Sequence, residues 1–453
     1  MIGMTLREIM QASGALWEGA ACLLDETPVN IVYDSRQVVS GSLFVALKGE
    51  RTDGHRFIPD VLSKGALAVL CEQLGEGNEP RLVVKDVMKA LRAAASYNRS
   101  RAYIPLVAVT GSVGKTTAKE MISAVLSSRL RTYKTPGSMN GQLGIPAAFI
   151  SMENRYDVGV IEMGISLPGE MARIAEIVRP DMAVFMNIGD AHLEALGDHA
   201  GILREKSEIL SCSSGFAPVF CNGDDLLLSV ATFGGRPVVR FGLSRHCDVR
   251  AEEIEVIENG TQQRCVIVSG DRRIPVHIPA YGTYMVYAAL AGASVGMALG
   301  LSDEDIARGI LNFENIGHRS RVVCAPFGTL VDDCYNANPN SNRAAIDSLA
   351  NLPGRKVCIL GDMLELGEDS NALHMALGEY IRASGVELLI TQGEEAAYIA
   401  KGAGDIAEHF ETKQELIQAL SSLLQRGDTV LVKASHGARF EDIVDVLETM
   451  ELS

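Results

Sequence analysis

The chain has 453 residues, 47% of them hydrophobic and 22% charged, which describes a globular protein of about two to four domains and excludes a disordered chain or one small module. Lys plus Arg number 41 against 57 Asp plus Glu, a net charge of −16, and this argues against a nucleic-acid partner, which would meet a basic surface. Nine cysteines without a Cys-x-x-Cys pair read as reduced, mostly buried thiols of a cytoplasmic protein.

Arg7 and Glu8 interrupt the apolar core that a signal peptide needs, so no export is expected. Residues 1–102 form a small α/β unit, with strand-like runs IVYDS, SLFVAL, ALAVLCE and RLVVKD and a helix over Met88 to Arg99. A second unit, 103–316, opens with the apolar strand IPLVAVT, the turn GSVGKTT and the amphipathic helix KEMISAVLSSRL. Buried strands VGVIEMG, DMAVFMNIG and APVFCNG alternate with helices after it, the pattern of a mostly parallel sheet. From Ile278 to Ser302 there is no charge, and Gly292, Gly296 and Gly300 follow the small-xxx-small spacing of membrane helices. Pro279, Gly282, Thr283 and Tyr284 break the start of that run, and AALAGASVGMALG is rich in small residues. A helix buried on all sides of a soluble domain is expected there, with no membrane insertion. The third unit, 317–453, carries strands GTLVDDCYN, KVCILGD, ELLITQG and TVLVKAS between helices. The expected fold class is therefore α/β in three domains, the last of them Rossmann-like.

The strongest chemical signal runs through Gly111, Ser112, Val113, Gly114, Lys115, Thr116 and Thr117. Glycines let backbone wrap a phosphate, the helix N-terminus offers free N–H groups, Lys115 adds a point charge and Thr116 can ligate Mg²⁺. The strict Walker spacing would need glycine at 109, where Val109 stands. A glycine turn made for packing is the alternative, and GKTT between strand and helix favours nucleotide. Glu162 ends the strand VGVIE, and His192 follows the strand AVFMNIG. Both lie where an α/β sheet places ligands, so both are candidate metal partners for that phosphate. Taken alone, Arg36 and His55 could bind an anion or belong to a hairpin with solvated charges.

The run 110–117, the pieces EMG and PGE, NIGDAHLE, KSEI, DDCYNANPNS and LGDMLELGED together resemble the ATP-dependent Mur ligases of peptidoglycan synthesis, in order along nearly the whole chain. The resemblance implies an N-terminal UDP-substrate domain in which Ser35, Arg36 and the Asp53-Gly54-His55 turn lie near uridine diphosphate. It implies a central ATPase domain using Lys115, His192 and Lys206, with Lys206 carrying a carbamate that ligates a second Mg²⁺ beside Thr116, Glu162 and His192. It puts Arg319, Asp333, Asn336 and Asn338 near ATP, and Asp362, His374, Lys433 and Ser435 toward an incoming dipeptide. The expected reaction, carried out by a monomer, joins D-alanyl-D-alanine to UDP-N-acetylmuramoyl-tripeptide at the expense of ATP.

The sequence departs from the family in two places. Ser138 to Pro146 keeps only part of the N-x-N-N-x-x-G-x-P run, leaving Asn140 and Gln142 as candidate muramyl contacts. Tyr284-Met285 replaces a usual His-Asn, so Tyr284 is the candidate adenine-stacking ring. A family member that adds a diamino acid to the dipeptide precursor is the nearest rival, and its Asp-Asn-Pro-Arg signature is absent. A P-loop regulatory ATPase is the distant one; no Asn-Lys-x-Asp guanine reader is found.

Overall fold

The computed structural model describes residues 3–49, 52–75, 77–153 and 155–452, whose strands form three sheets. The first sheet contains β1 (Leu16–Glu18), β2 (Ile31–Val32), β3 (Leu43–Val45), β4 (Ala68–Cys71) and β5 (Arg81–Val83), in the order β1-β5-β4-β3-β2. All pairs are parallel except β1 with β5. The expected helix runs from Val87 to Arg101 and is started by Asp86, whose side chain accepts from Lys89 N–H, as an N-cap does. The helix Leu6–Ser13, opened by a Thr5/Glu8 capping box, was not anticipated; it is too short for its apolar period to stand out.

This unit does not pack alone. Leu43, Leu70 and Leu91 share one apolar cluster with Ile145, Phe149, Ile174 and Phe185 of the next unit. Asn98 Nδ2 donates to the carbonyls of Phe149 (2.6 Å) and Met152 (3.0 Å) across the junction, which gives acceptors at a helix end a further partner.

The second sheet contains β6 (Leu106–Thr110), β7 (Thr132–Lys134), β8 (Val158–Glu162), β9 (Met182–Phe185), β10 (Val219–Asn222), β11 (Val238–Gly242), β12 (Val249–Ile257), β13 (Gln262–Ser269) and β14 (Arg272–Ile278). Its order is β14-β13-β12-β11-β10-β9-β6-β8-β7. The pairs from β7 to β12 are parallel, as expected, but β12, β13 and β14 continue as antiparallel neighbours. These last strands carry polar residues on an open face, so they lack the continuous apolar runs that marked the others.

The uncharged stretch forms the helix Tyr284–Ala298, buried along most of its length. Its glycines serve close packing: a Cβ on Gly292 or Gly296 would come within 3.0 Å of Val125 on the helix Lys115–Ser127. No helix among the described residues is long and apolar enough to cross a membrane.

The third sheet contains β15 (Arg321–Ala325), β16 (Gly328–Asp332), β17 (Lys356–Gly361), β18 (Leu388–Gln392), β19 (Ala407–Phe410) and β20 (Asp428–Lys433), in the order β15-β16-β20-β17-β18-β19. Only β15 is antiparallel to its neighbour, and apolar clusters cover both faces. All nine cysteines are free, with Cys71, Cys221, Cys247, Cys265, Cys334 and Cys358 buried.

Candidate active site

The central sheet decides which residues meet. Strand β6 lies between β8 and β9, in register so that Val109 faces Glu162 and Thr110 faces Phe185. The loop leaving β6 therefore emerges beside the ends of both neighbours, where the chain order along the sheet reverses and open α/β sheets bind ligands.

That loop is held from outside itself. Ser112 Oγ donates to Gly189 O (3.1 Å) and accepts from Gly189 N–H (2.8 Å). Asn187 accepts from Val113 N–H at 2.9 Å and donates to Val113 O at 3.0 Å. Sequence reasoning quoted the run containing Asn187 and Gly189 but did not single them out; their signal was only their position after β9. Gly111 has no room for a side chain, since a Cβ would stand 3.0 Å from Met186 Cβ, and Gly114 caps the helix at φ +75°. Thr116 lies buried in that helix's first turn, and Thr117 follows it half-buried.

Two lysines converge on one carbonyl. Lys115 Nζ donates to Gly111 O (2.9 Å) and Ser112 O (3.2 Å), and Lys206 Nζ donates to Gly111 O at 3.0 Å. Lys206 is fully buried at the end of the helix His199–Ser207, so burial, and then the nearby charge of Lys115, pushes its pKa well below the ordinary lysine range. Burial likewise lowers Lys115, against the opposing pull of Glu162. Two such amines, one buried and one half-buried, with so few partners form a site that gains from an anion.

A carboxylate stands on the other side. Glu162 is 1% exposed; its Oε1 accepts from Asn140 Nδ2 at 2.6 Å, while Oε2 accepts no hydrogen bond among the described residues. Lys119 Nζ approaches that oxygen only to 3.8 Å, being held by Glu120 at 3.0 Å and by the carbonyls of Thr135 and Gly137. Lys119 was missed by sequence reasoning because a lysine inside an amphipathic helix reads as surface. An orphaned buried carboxylate oxygen with a hydroxyl from Thr116 and an imidazole from His192 is a donor set that fits a hard divalent cation. His192 sits at φ +66°, with Nδ1 3.1 Å from Glu365 Oε2 of the third domain. That bond, against the opposing effect of burial, keeps the Glu365 carboxyl below its usual range.

Asp333 accepts from Ser320 N–H (2.9 Å) and from Lys433 Nζ (2.5 Å), and Lys433 also donates to Asn336 O at 2.9 Å. Arg319 lies over the Tyr335 ring at 3.7 Å, and Tyr335 stacks on His436 at 5.4 Å. Asn336 is exposed, with Oδ1 accepting from Ala337 N–H, and Asn338 caps the helix Pro339–Leu349. Tyr284 is half-buried, its ring against Gly282, where a Cβ would stand 2.2 Å away.

The remaining expected site residues are tied into the fold. His374 is fully buried: Nε2 accepts from Met363 N–H (3.0 Å) and Nδ1 donates to Ser370 O (2.8 Å). Asp362 accepts from Ala396 N–H, and Ser435 Oγ accepts from Leu364 N–H. Lys433 is brought to Asp333 rather than to these residues. In the first domain Arg36 forks onto Asp34, whose carboxyl is lowered to about 2 by it, and Ser35 O accepts from Lys64 Nζ at 3.2 Å. His55 is used twice, by Asp53 at Nδ1 (2.6 Å) and by Glu72 N–H at Nε2 (3.0 Å). Gly54 is glycine for space, with Leu47 backbone 2.8 Å from any Cβ. Asn140 is committed to Glu162, and Gln142 donates to Glu170 O (2.9 Å) and accepts from Arg173 Nε (3.2 Å).

Three family models cover the chain in order: the Mur ligase family catalytic domain over residues 29–107, the Mur ligase middle domain over 109–296 and the Mur ligase glutamate ligase domain over 318–436. The chain is 35% identical to the UDP-N-acetylmuramoyl-tripeptide--D-alanyl-D-alanine ligase of Escherichia coli, with 99% of each covered. It is 33% identical to the Bacillus subtilis protein of the same name, covering 92% of this chain and 93% of that one. The crystal structure of MurF from Acinetobacter baumannii superimposes with a TM-score of 0.86 at 30% identity over 99% of each chain. MurF from Thermotoga maritima in complex with ADP does so at 0.81 and 29% identity, over 92% of this chain and 97% of that one.

Proposed function

The chain belongs to the Mur ligase family, and on that premise we propose that it joins D-alanyl-D-alanine to UDP-N-acetylmuramoyl-tripeptide with consumption of ATP. The observation that carries this reading is the pair of lysines, buried Lys206 and half-buried Lys115, meeting at Gly111 O beside the orphaned Glu162 oxygen. Together they supply the Lys115 cation for a phosphate chain and the Glu162 anion for its metal. Relatives of this name match over essentially the whole chain.

A carboxylate is a poor electrophile, so the tripeptide's terminal carboxylate first takes the γ-phosphoryl group of ATP to become an acyl phosphate. The dipeptide amine then attacks the carbonyl carbon, and the tetrahedral intermediate expels inorganic phosphate. Lys115 places its charge at the transferring phosphoryl group. Ser112, locked to Gly189, and Asn187, locked to Val113, keep the loop in shape as charge moves along it. Thr116, Glu162, His192 and Lys206 would hold Mg²⁺, two ions in all, which neutralises phosphate charge when bound. The depressed pKa of Lys206 favours its neutral amine, which adds to CO₂ by forming an N–C bond and releasing one proton. The resulting carbamate turns a buried neutral amine into an anionic oxygen ligand. An amine with a pKa near 8 is about nine-tenths protonated at pH 7, so the attacking dipeptide must lose a proton on the way in.

Phosphate release measured with candidate substrates tests the reading. It is expected to require both UDP-N-acetylmuramoyl-tripeptide and D-alanyl-D-alanine. Faster release with a single diamino acid and the dipeptide precursor would overturn the assignment.

A further inference from the structure

Glu365 has no part in the reading above, yet its carboxylate reaches across from the third domain to His192 Nδ1 at 3.1 Å. Both residues sit at φ +66° although neither is glycine. Such backbone is strained for a residue with a Cβ, so the two side chains are presented to one another from constrained turns. The loops that carry them touch, since a Cβ on Gly367 would stand 3.3 Å from Glu194 Cβ; beside them, one on Gly189 would stand 2.5 Å from Asn340 Nδ2 of the helix Pro339–Leu349. Tyr281 O–H donates to Ala345 O at 3.2 Å along the same pair of domains. Lys115 lies within electrostatic reach of both Glu162 and Glu365, which ties the carboxylate to the neighbourhood of the phosphate loop. A neutral imidazole has one donor and one acceptor nitrogen, and the partner of one nitrogen decides what the other can ligate.

We propose that Glu365 is a positioning residue that holds the His192 ring from across the domain interface, fixing the proton on Nδ1 and leaving Nε2 for the divalent cation. The inference rests on the metal-dependent ligase reading and adds that the cation site is complete only when the central and third domains meet. Glu365 touches neither substrate nor metal; it acts through His192.

The test titrates Mn²⁺ into the ADP-bound protein and reads free and bound ion by electron paramagnetic resonance, with no turnover required. Glu365→Ala is expected to weaken Mn²⁺ binding about 10-fold or more, as loss of the partner of a metal-binding histidine does. The same substitution in a His192→Ala background is expected to add nothing further, because a residue acting through another has no separate effect once that residue is gone. Unchanged binding in Glu365→Ala, or a loss that adds fully to that of His192→Ala, overturns the inference. Should the alanine variant not fold, Glu365→Gln takes its place: its amide oxygen still accepts from Nδ1–H but without charge, so about a 3-fold loss is expected, and no loss overturns the proposal. Dipeptide-dependent phosphate release is measured on the same wild-type preparation. Its absence overturns the ligase reading, whereas its presence with unchanged Mn²⁺ binding in Glu365→Ala overturns the positioning role alone.

Discussion

The loop after β6 and the turns of the third domain around Asp362 both set polar residues at the carboxyl ends of buried parallel strands, and they use them in opposite ways. At the central loop the fold leaves groups with work outstanding: Glu162 Oε2 has no donor, and Lys206 shares a single carbonyl with Lys115. Around Asp362 the polar atoms are matched inside the domain, His374 by Met363 and Ser370, Ser435 by Leu364, Asp362 by Ala396. Buried polar groups are ordinarily satisfied, so an unsatisfied one points to a ligand and a satisfied one points to shape. Residue type and strand-end position, which made both regions candidates, do not separate these cases. Hydrogen-bond accounting does.

If that contrast holds, substitutions at the two regions fail differently. Lys115→Ala is expected to lower turnover by roughly 10²-fold or more, about 3 kcal/mol of transition-state stabilisation, with the fold intact by circular dichroism. Near-normal phosphate release from the folded variant would break the comparison at its strongest point. Lys206→Ala is expected to cost a similar or somewhat smaller factor, about 10²-fold, and a short carboxylic acid in the medium is expected to restore part of it by filling the vacated space. Depleting CO₂ and bicarbonate is expected to lower wild-type activity as well. Crystallographic density at Lys206 with ATP and Mg²⁺ bound is the direct check, and an unmodified ammonium there would remove the carbamate from the scheme.

His374→Ala sharpens the other side. It strips Met363 N–H of its buried partner, so a loss of about 1–3 kcal/mol in unfolding free energy is expected, read from urea denaturation. Turnover per folded molecule is expected to stay within a few-fold of wild type; a collapse in turnover without a stability loss would move His374 from shape to chemistry. The smallest effect lies in the first domain. Arg36 holds the Asp34 carboxyl down to about 2, so the pair's contribution to stability is fully present above the ordinary carboxyl pKa near 4 and is lost as pH falls from there through about 2. The pair is exposed enough that solvent screens most of it. Urea midpoints measured between pH 5 and 2 are expected to fall slightly less steeply in Arg36→Ala than in wild type.

Local signals carried a good deal of this. A glycine-rich turn with GKTT after a continuous apolar strand, the strands ending in Glu162 and leading to His192, and the helix from Val87 all depend on side-chain period, backbone permissiveness and caps within a few residues, and so could be read along the chain. The uncharged run ending near Ser302 could be recognised as a buried helix from its small residues alone, although the reason for Gly292 and Gly296, the approach of Val125, could not. The antiparallel strands β12 to β14, exposed on one face, gave too weak a pattern.

What the sequence by itself determined, then, was most of the buried parallel strands, the longer helices between them, their order and the phosphate loop, because these follow from short-range stereochemistry and from which faces must be buried. What only the tertiary structure decided was partnership: that Lys206 is buried against Gly111 rather than solvated, that Lys433 turns to Asp333, that His374 is spent on Met363, and that Glu365 meets His192. Those contacts join residues far apart in the chain, and they exist because strand order and domain packing bring them within hydrogen-bond range, a condition that no local pattern of residue types encodes.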